Sequence, residues 1–117
     1  MHNFKELKIW QKARELVKAI YLLTKKYPAE ERFGLTSQTR RAAVSILLNI
    51  AEGSGRGSDN DFSHFIDIAT GSARELETAI IVAFDLEYIS EFDLDNITVQ
   101  ITELYKMIFK FQQTLKK

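Results

Sequence analysis

Residues 38–56 combine a near-continuous apolar run with polar residues at helical spacing, and this combination restricts the fold more than any other stretch. The stretch reads QTRRAAVSILLNIAEGSGR, and at about 100° per residue its polar members share one side of a helix, within about 80° of arc. The members of this polar stripe are Gln38, Arg41, Ser45, Asn49, Glu52 and Arg56. An apolar stripe flanks it on each side. Since an ordinary surface helix has one apolar stripe, the pattern predicts two packing partners, and the second is expected to be another copy of the chain.

The two apolar stripes are assigned to different neighbours. The first stripe, expected to face the chain's own core, consists of Ala42, Ala43, Ile46 and Ile50. The second stripe, together with residues from a second apolar side of the following helix, is the predicted oligomer contact. Its members are Val44, Leu47, Leu48, Ala51, Ile68 and Val82.

The rest of the chain carries three more amphipathic helices joined by short links, with no alternating strand pattern. Pro28 ends the first helix, and Gly53 is interpreted as the left-handed residue that ends the second. Ser58 and Ser90, each followed three residues later by an aspartate, are the predicted N-caps of the third and fourth helices. The predicted helices span about residues 5–27, 35–53, 58–88 and 92–115 and form an all-α, antiparallel up-down-up-down four-helix bundle, a single domain over residues 1–117.

Composition narrows the functional classes. The chain has no cysteine, which excludes disulfides and thiolate metal ligands, and its two histidines, His2 and His64, lie far apart in the sequence. We therefore assign no metal, no cofactor and no small-molecule substrate. The N-terminus lacks the apolar core of a signal peptide, and no apolar run approaches about 18 residues, so a cytoplasmic location away from membranes is expected.

Charge is divided unevenly along the chain although its formal net value is zero. Residues 1–56 hold 11 Lys/Arg and 5 Asp/Glu, net +6, whereas residues 57–117 hold 5 and 11, net −6. This charge asymmetry has two interpretations. It provides attraction between helices or subunits, or it provides a basic surface that binds nucleic acid. The predicted phosphate contacts are Arg40, Arg41, Arg56, Lys8 and Lys12. No aromatic residue interleaves with these arginines in the sequence, so a platform for base stacking is not expected.

Two other patterns are weighed as sites and set aside. The segment GSGRGS, residues 53–58, precedes a helix as phosphate loops do, but its spacing fits no phosphate motif, and Asp59 and Asp61 occupy the anion's position. Glu52 and Glu75 can act as an acid–base pair only if the fold brings them together in a cleft; otherwise each is expected to pair with an arginine. Without a catalytic constellation, the chain is not predicted to be an enzyme.

The polar stripe, taken with Glu75, has two interpretations. In the first it is a hydrogen-bonded seam between subunits, in which Ser45 and Asn49 fix the register, as buried polar residues do in helix assemblies. In the second it is an exposed strip that faces a ligand or nucleic acid, with arginines as phosphate contacts. We favour the seam.

Three segments together resemble the family of four-helix-bundle proteins called 23S rRNA-intervening-sequence proteins. They are FKELKIWQKA at residues 4–13, QTRRAAVSILLNIAEGSGR at 38–56 and IATGSARELET at 68–78. The central motif falls on Arg40, Arg41, Ser45, Ile46, Asn49, Ile50, Ala51, Glu52, Gly53, Gly55 and Arg56. The chain departs from the family at Leu47 and Leu48, where the family usually has a proline, which kinks the helix, and a small residue.

The resemblance implies an up-down bundle that assembles into a ring, a homopentamer, and it implies no known enzyme activity. Family members are similar to accessory proteins of diversity-generating retroelements, which bind nucleic acid and a reverse transcriptase. Members also occur outside ribosomal RNA genes, so the resemblance does not carry a ribosomal RNA role to this chain. Nucleic acid is thus an expected partner beside the chain's own copies.

Overall fold

The computed structural model describes residues 2–115, and its regular structure within that range is helical. The four α-helices are α1 (Lys8–Thr24), α2 (Leu35–Ser54), α3 (Asp59–Asp85) and α4 (Glu91–Thr114), and short 3-10 helices at Phe4–Glu6 and Ala29–Glu31 precede α1 and α2. Neighbours pack in the cyclic order α1–α2–α3–α4–α1, and within residues 2–115 the α-carbons of diagonal helices do not approach within 8 Å. The predicted all-α four-helix bundle is confirmed. None of these helices is long and apolar enough to span a membrane.

Contacts between helices show the antiparallel order of the bundle. Lys12 Nζ lies 2.9 Å from Glu103 Oε2, and Lys26 Nζ lies 3.0 Å from Asp93 Oδ2. As residue numbers rise along α1, the numbers of the facing residues on α4 therefore fall. The same reversal links α2 to α3 through the short loop of residues 55–58. Each helix consequently faces a neighbour of opposite direction, as in an up-down bundle.

Ile, Leu and Ala residues from all four helices fill the core. The predicted inward stripe of α2 is confirmed, because Ala42, Ala43, Ile46 and Ile50 are all buried. They pack with fully buried side chains from the other helices, among them Leu16, Ile20, Phe62, Ile66, Leu76, Ile80, Ile101 and Leu104. Burying a large apolar side chain stabilises the fold by about 1.5–3 kcal/mol.

The two serine caps are confirmed. Ser58 Oγ accepts a hydrogen bond from the Asp61 backbone N–H at 3.1 Å. At α4 the pairing is reciprocal: Ser90 Oγ accepts from the Asp93 backbone N–H, and Asp93 Oδ2 accepts from the Ser90 backbone N–H. These bonds satisfy N–H groups that have no partner inside a helix and fix where α3 and α4 begin.

Three helix boundaries differ from prediction. α1 begins at Lys8 rather than at residue 5, because Phe4–Glu6 form a separate 3-10 helix. α1 ends at Thr24, three residues earlier than predicted, because Lys25–Tyr27 form a turn before Pro28. α3 ends at Asp85 rather than at residue 88, because Glu87 adopts a left-handed conformation with φ of 65°. The Tyr88 N–H then bonds to the Ala83 carbonyl, which closes the end of α3.

The interpretation of Gly53 as a left-handed terminating residue is wrong. α2 continues through Ser54, Gly55 caps it with φ of −89°, and no glycine among residues 2–115 has a positive φ. Gly53 is instead a buried packing residue against α3. A β-carbon at this position would lie 2.7 Å from Phe65 Cβ and 2.8 Å from Phe62 Cδ1. The glycine thus permits close approach of the two helices.

α2 is one uninterrupted helix through the positions where this chain departs from the family pattern. Leu47 packs partly against the core, whereas Leu48 points outward and is 61% exposed. Leucine keeps the backbone N–H that a proline lacks, so nothing breaks the hydrogen-bond ladder here. The helix assignment is therefore continuous across Leu47 and Leu48.

Candidate functional site

The polar stripe divides into a part that is bonded within the chain and a part that is not. In the bonded part, Ser72 Oγ donates to Ser45 Oγ at 2.9 Å, across the α2–α3 contact. Asn49 Nδ2 donates to the Ser45 carbonyl at 2.8 Å and to Ser45 Oγ at 3.1 Å. Ser45 therefore bonds to α3 of the same chain, and Asn49 bonds back to Ser45 within α2, whereas the seam interpretation placed these bonds between subunits.

Glu52 and Arg56 also bond to each other. Arg56 Nη2 lies 3.2 Å from Glu52 Oε1, one turn away on the last part of α2 and the loop that follows. The Arg56 guanidinium also covers the Phe65 ring, 4.5 Å from its centroid. The expected pairing of Glu52 with an arginine is confirmed, although an exposed pair of this kind contributes only about 0–1 kcal/mol.

The rest of the polar stripe borders a groove between α2 and α3, which we call the polar groove. It has a volume of about 420 Å³ and is lined by Gln38, Arg41, Ala42, Ser45, Glu75 and Ala79. Arg41 and Glu75 are both exposed, and neither forms an ion pair or hydrogen bond within residues 2–115. The arginine partner expected for Glu75 is thus not supplied by the described part of its own chain. The polar groove presents one cation and one carboxylate to an outside partner.

The fold does not bring Glu52 and Glu75 together. Ser45 and Ser72 meet at one level of the hairpin. Glu52 lies seven residues from Ser45 in one direction, and Glu75 lies three residues from Ser72 in the other. At a rise of about 1.5 Å per residue, the two carboxylates are separated by roughly 15 Å along the helices. They do not form the acid–base pair that a shared cleft would have allowed.

Two of the predicted phosphate contacts are engaged in packing the bundle. Arg40 Nε donates to Thr24 Oγ1 at 2.8 Å, and its guanidinium lies 4.5 Å from the centroid of the Tyr21 ring. Lys12 is half-buried in its ion pair with Glu103. Both side chains tie a helix to its neighbour, α2 to α1 in the first case and α1 to α4 in the second.

Arg41, Lys8 and Arg56 are exposed. Arg56 shares its charge with Glu52, whereas Lys8 and Arg41 have no ion-pair partner within residues 2–115. The five predicted phosphate contacts are distributed over two neighbouring helices and the loop after α2. Lys8 and Lys12 lie on α1, whereas Arg40 and Arg41 lie on α2 and Arg56 follows its end.

Sequence reasoning missed a surface of α1 on which cations and aromatic rings alternate. The α1 strip, as we call it, surrounds a groove of about 960 Å³ lined by Lys5, Trp10, Gln11, Arg14, Glu15 and Lys18. The Arg14 guanidinium lies 5.5 Å from the centroid of the Trp10 ring, and Phe4 packs against Trp10 edge to face at 5.2 Å. The four-residue spacing of Trp10 and Arg14, which places them on one side of a helix, was the available signal.

Aromatic rings lie beside two of the three predicted arginine contacts, although none interleaves with them in the sequence. Arg40 covers Tyr21 of α1, and Arg56 covers Phe65 of α3. The rings come from a different helix in each case, so the sequence around the arginines gave no indication of them. Cation–π contacts of this kind contribute about 0.5–1 kcal/mol at exposed sites.

The predicted oligomer contact is divided between exposed and half-buried residues. Leu48, Ile68 and Val82 are exposed by 61%, 40% and 39%, on the α2–α3 side of the bundle. The remaining three, Val44, Leu47 and Ala51, are half-buried. The structure therefore leaves three large apolar side chains beside the polar groove in contact with solvent.

Shifted pKa values lie outside the polar groove and the α1 strip. Burial, and then the hydrogen bond to Glu77 at 3.0 Å, raise the pKa of Tyr105 to about 12. The Leu35 backbone N–H and the Tyr88 hydroxyl both donate to Glu31, which lowers the pKa of this carboxyl and raises that of Tyr88. These groups join the connector before α2 to the end of α3 and join α3 to α4.

The part of the chain that the structure describes contains no cluster of side chains suited to binding a metal ion. Within it, no group of three or more His, Asp or Glu side chains is arranged to hold an ion. His2 lies against Phe62, with ring centroids 5.1 Å apart, and His64 is exposed beside Phe65. The two histidines are not brought together as ligands.

Comparisons with known proteins agree with this architecture. The sequence model of a family described as 23S rRNA-intervening sequence protein matches residues 5–110. A crystal structure of a protein of unknown function from the S23 ribosomal protein family of Bacteroides thetaiotaomicron superposes with a TM-score of 0.82. It is 28% identical, and the match covers 91% of this chain and 99% of that one. Among curated proteins, no relative matches the chain.

Proposed function

Since the chain belongs to the 23S rRNA-intervening sequence protein family, we propose that it is a non-enzymatic scaffold that assembles into a ring and binds nucleic acid or a nucleic-acid-processing partner through a basic surface. Five copies per ring is the number that the family resemblance implies. The observation that carries the proposal is the distribution of charge and exposed apolar residues around the bundle. The proposal assigns a catalytic role to no residue.

Charge is separated in space as well as in sequence. α1 has four Lys/Arg and one Glu, and α2 has two Arg and one Glu, so this adjacent pair is net +4. α3 has one Arg and six Asp/Glu, and α4 has two Lys and four Asp/Glu, so the opposite pair is net −7. The α1–α2 side of the bundle is therefore a basic surface available to phosphates.

Exposed apolar side chains on two opposite sides of the bundle are suited to a subunit contact, whereas others, such as Ile81, Val99 and Phe109, lie elsewhere on α3 and α4. Leu48, Ile68 and Val82 lie on the α2–α3 side. On the α1–α4 side, Leu22 is 56% exposed and borders a groove of about 240 Å³ between these helices. We propose that the α2–α3 side of one copy packs on the α1–α4 side of the next. Such a contact joins unlike surfaces, and it generates a ring when its rotation closes.

This arrangement would keep the basic α1–α2 side of every copy on the same side of the ring. Repeated basic surfaces on one assembly strengthen binding to a long polyanion, because the later contacts are made within a complex that has already formed. Nucleic acid is the polyanion that fits best, since each phosphate that is neutralised releases counterions.

A gel-shift titration with RNA and DNA at two salt concentrations tests the nucleic-acid part of the proposal. We expect binding at low salt whose affinity falls steeply as salt rises, as phosphate contacts require. Absence of binding at low salt, or affinity that does not depend on salt, would contradict it.

A second candidate function, a module that binds only protein, is favoured by the polar groove. Arg41 and Glu75 lack partners within residues 2–115 and lie near the exposed apolar residues of the α2–α3 side, as expected of a subunit seam. The salt titration above separates the two functions, and Arg41→Ala tests which role the polar groove has. Loss of the oligomer in light scattering would identify the groove as a seam, whereas an intact ring with weaker nucleic-acid binding would identify it as a nucleic-acid site.

A further inference from the structure

We infer that the α1 strip binds single-stranded nucleic acid, with a base stacked on the Trp10–Arg14 pair and phosphates held by Lys5 and Lys18. This inference rests on the nucleic-acid binding proposed above and names its site and the form of its ligand. It departs from the phosphate contacts predicted from the sequence, none of which lines the groove of this strip.

Trp10 and Arg14 form a cation–π pair that lines the groove. Trp10 packs partly against the core, which fixes its ring, while the rest of the side chain lines the groove. The Arg14 guanidinium lies 5.5 Å from the ring centroid, and the Phe4 ring supports Trp10 from the side. Bases in single-stranded complexes stack on aromatic rings and on guanidinium planes.

Cations lie around the Trp10–Arg14 pair. Lys5, Arg14 and Lys18 line the same groove, against a single carboxylate from Glu15. None of these three cations has an ion-pair partner within residues 2–115. Their charge is therefore available to phosphates, and the net positive charge of the groove matches the backbone of a polynucleotide.

A second arginine–aromatic pair continues the strip along α1. Arg40 covers Tyr21, which lies eleven residues beyond Trp10, or about 16 Å along the helix axis. Lys18 lies between the two pairs on the exposed side of α1. Single-strand binders use such an alternation of aromatic pairs and cations to bind along a polynucleotide without reading its sequence.

The half-buried Trp10 ring, which lines the groove beside Arg14, distinguishes a single strand from the other anionic partners that the charge alone would permit. The bases of a duplex are stacked on one another and present only their edges, so they do not cover Trp10. An acidic protein would pair with the three cations but supplies no base to stack on the ring. The aromatic component of the strip therefore points to unpaired bases.

Trp10 is the only tryptophan of the chain, so its fluorescence reports on this site alone. A labelled oligo-dT and a duplex of equal length would be titrated into the full chain at low salt, with anisotropy of the label and Trp10 emission followed together. We expect the single strand to bind more tightly than the duplex and to quench Trp10. Arg14→Gln and Lys18→Gln should each weaken binding at least about fivefold. Lys106→Gln, on the exposed side of α4, is the matched control and should leave binding unchanged.

The outcomes separate this inference from the proposed function. Suppose that anisotropy shows binding, that Trp10 is not quenched, and that Arg14→Gln and Lys18→Gln bind as tightly as the unaltered chain. This result would overturn the assignment of the α1 strip as the binding site but would leave nucleic-acid binding in place. Duplex binding of equal strength with equal quenching would overturn the single-strand preference. No binding of either oligonucleotide at low salt would overturn both the inference and the nucleic-acid proposal.

Discussion

Gly53 of α2 and Phe65 of α3 approach so closely that a β-carbon on the glycine would lie 2.7 Å from the β-carbon of Phe65. Gly53→Ala is therefore expected to force the two helices apart and to lower the free energy of unfolding by about 1–3 kcal/mol, measured by urea denaturation. Gly71→Ala is the matched control, because this helical glycine has open space around it. The free energy of unfolding of this control should rise by up to about 1 kcal/mol, because alanine has a higher helix propensity than glycine. A Gly53→Ala variant as stable as the unaltered chain would contradict the account of this contact.

Glu87 has a left-handed conformation, with φ of 65°, at the end of α3. Glu87→Gly should raise the free energy of unfolding by about 1 kcal/mol, because glycine adopts this conformation without a steric penalty. Lys106→Gly, at an exposed position inside α4, provides the contrast and should lower it by a similar amount. Equal effects of the two substitutions in thermal or urea unfolding would show that the conformation of Glu87 has no influence on stability.

The helices and the inward stripe of α2 could be predicted because they depend on residues three or four positions apart. Ser58 and Ser90 were recognised as caps for the same reason, since their partners lie three residues away. Gly53 was misinterpreted because its neighbours, Phe62 and Phe65, belong to the next helix. A glycine near the end of an apolar run is equally suited to a helix terminus and to close packing, and the sequence alone does not distinguish them.

The candidate site was less predictable than the fold because its chemistry depends on contacts between helices. Ser45 and Ser72 are 27 residues apart, and Arg40 and Thr24 are 16 apart, yet these contacts determine which members of the polar stripe and of the basic set remain free. Arg41 and Glu75 were correctly singled out as unusual, but only the structure places them in one groove. Local pattern identifies polar residues on apolar helices without identifying their partners.

Tyr105 is predicted to be among the last of the four tyrosines to ionise, since its pKa is raised to about 12 by burial and by Glu77. Ultraviolet titration of the phenolate should show a late step that Tyr105→Phe removes. The folded chain holds this proton more tightly than the unfolded chain, whose tyrosines ionise near about 10. Stability should therefore fall as pH rises from about 10 to about 12, and this part of the fall should be smaller in Tyr105→Phe. A single step near pH 10 for all four tyrosines would contradict the assignment.

Leu48 is 61% exposed, so replacing it removes little from the core of its own chain. Leu48→Glu should dissociate the proposed ring, because a charge buried at a subunit contact costs several kcal/mol unless it is paired. Circular dichroism should show an unchanged helical content, which separates dissociation from unfolding. Thr102→Glu, at an exposed position on α4, is the control and should leave the oligomer intact. If Leu48→Glu sediments as the unaltered chain does, the α2–α3 side is not a subunit contact.

Native mass at micromolar concentration tests the proposed ring most directly. The account predicts one closed species, of about 68 kDa if five copies of the 13.5 kDa chain assemble as the family resemblance implies. Closure should keep this mass constant as the concentration rises. A monomer of 13.5 kDa at micromolar concentration, or a series of masses that grows with concentration, would contradict the ring.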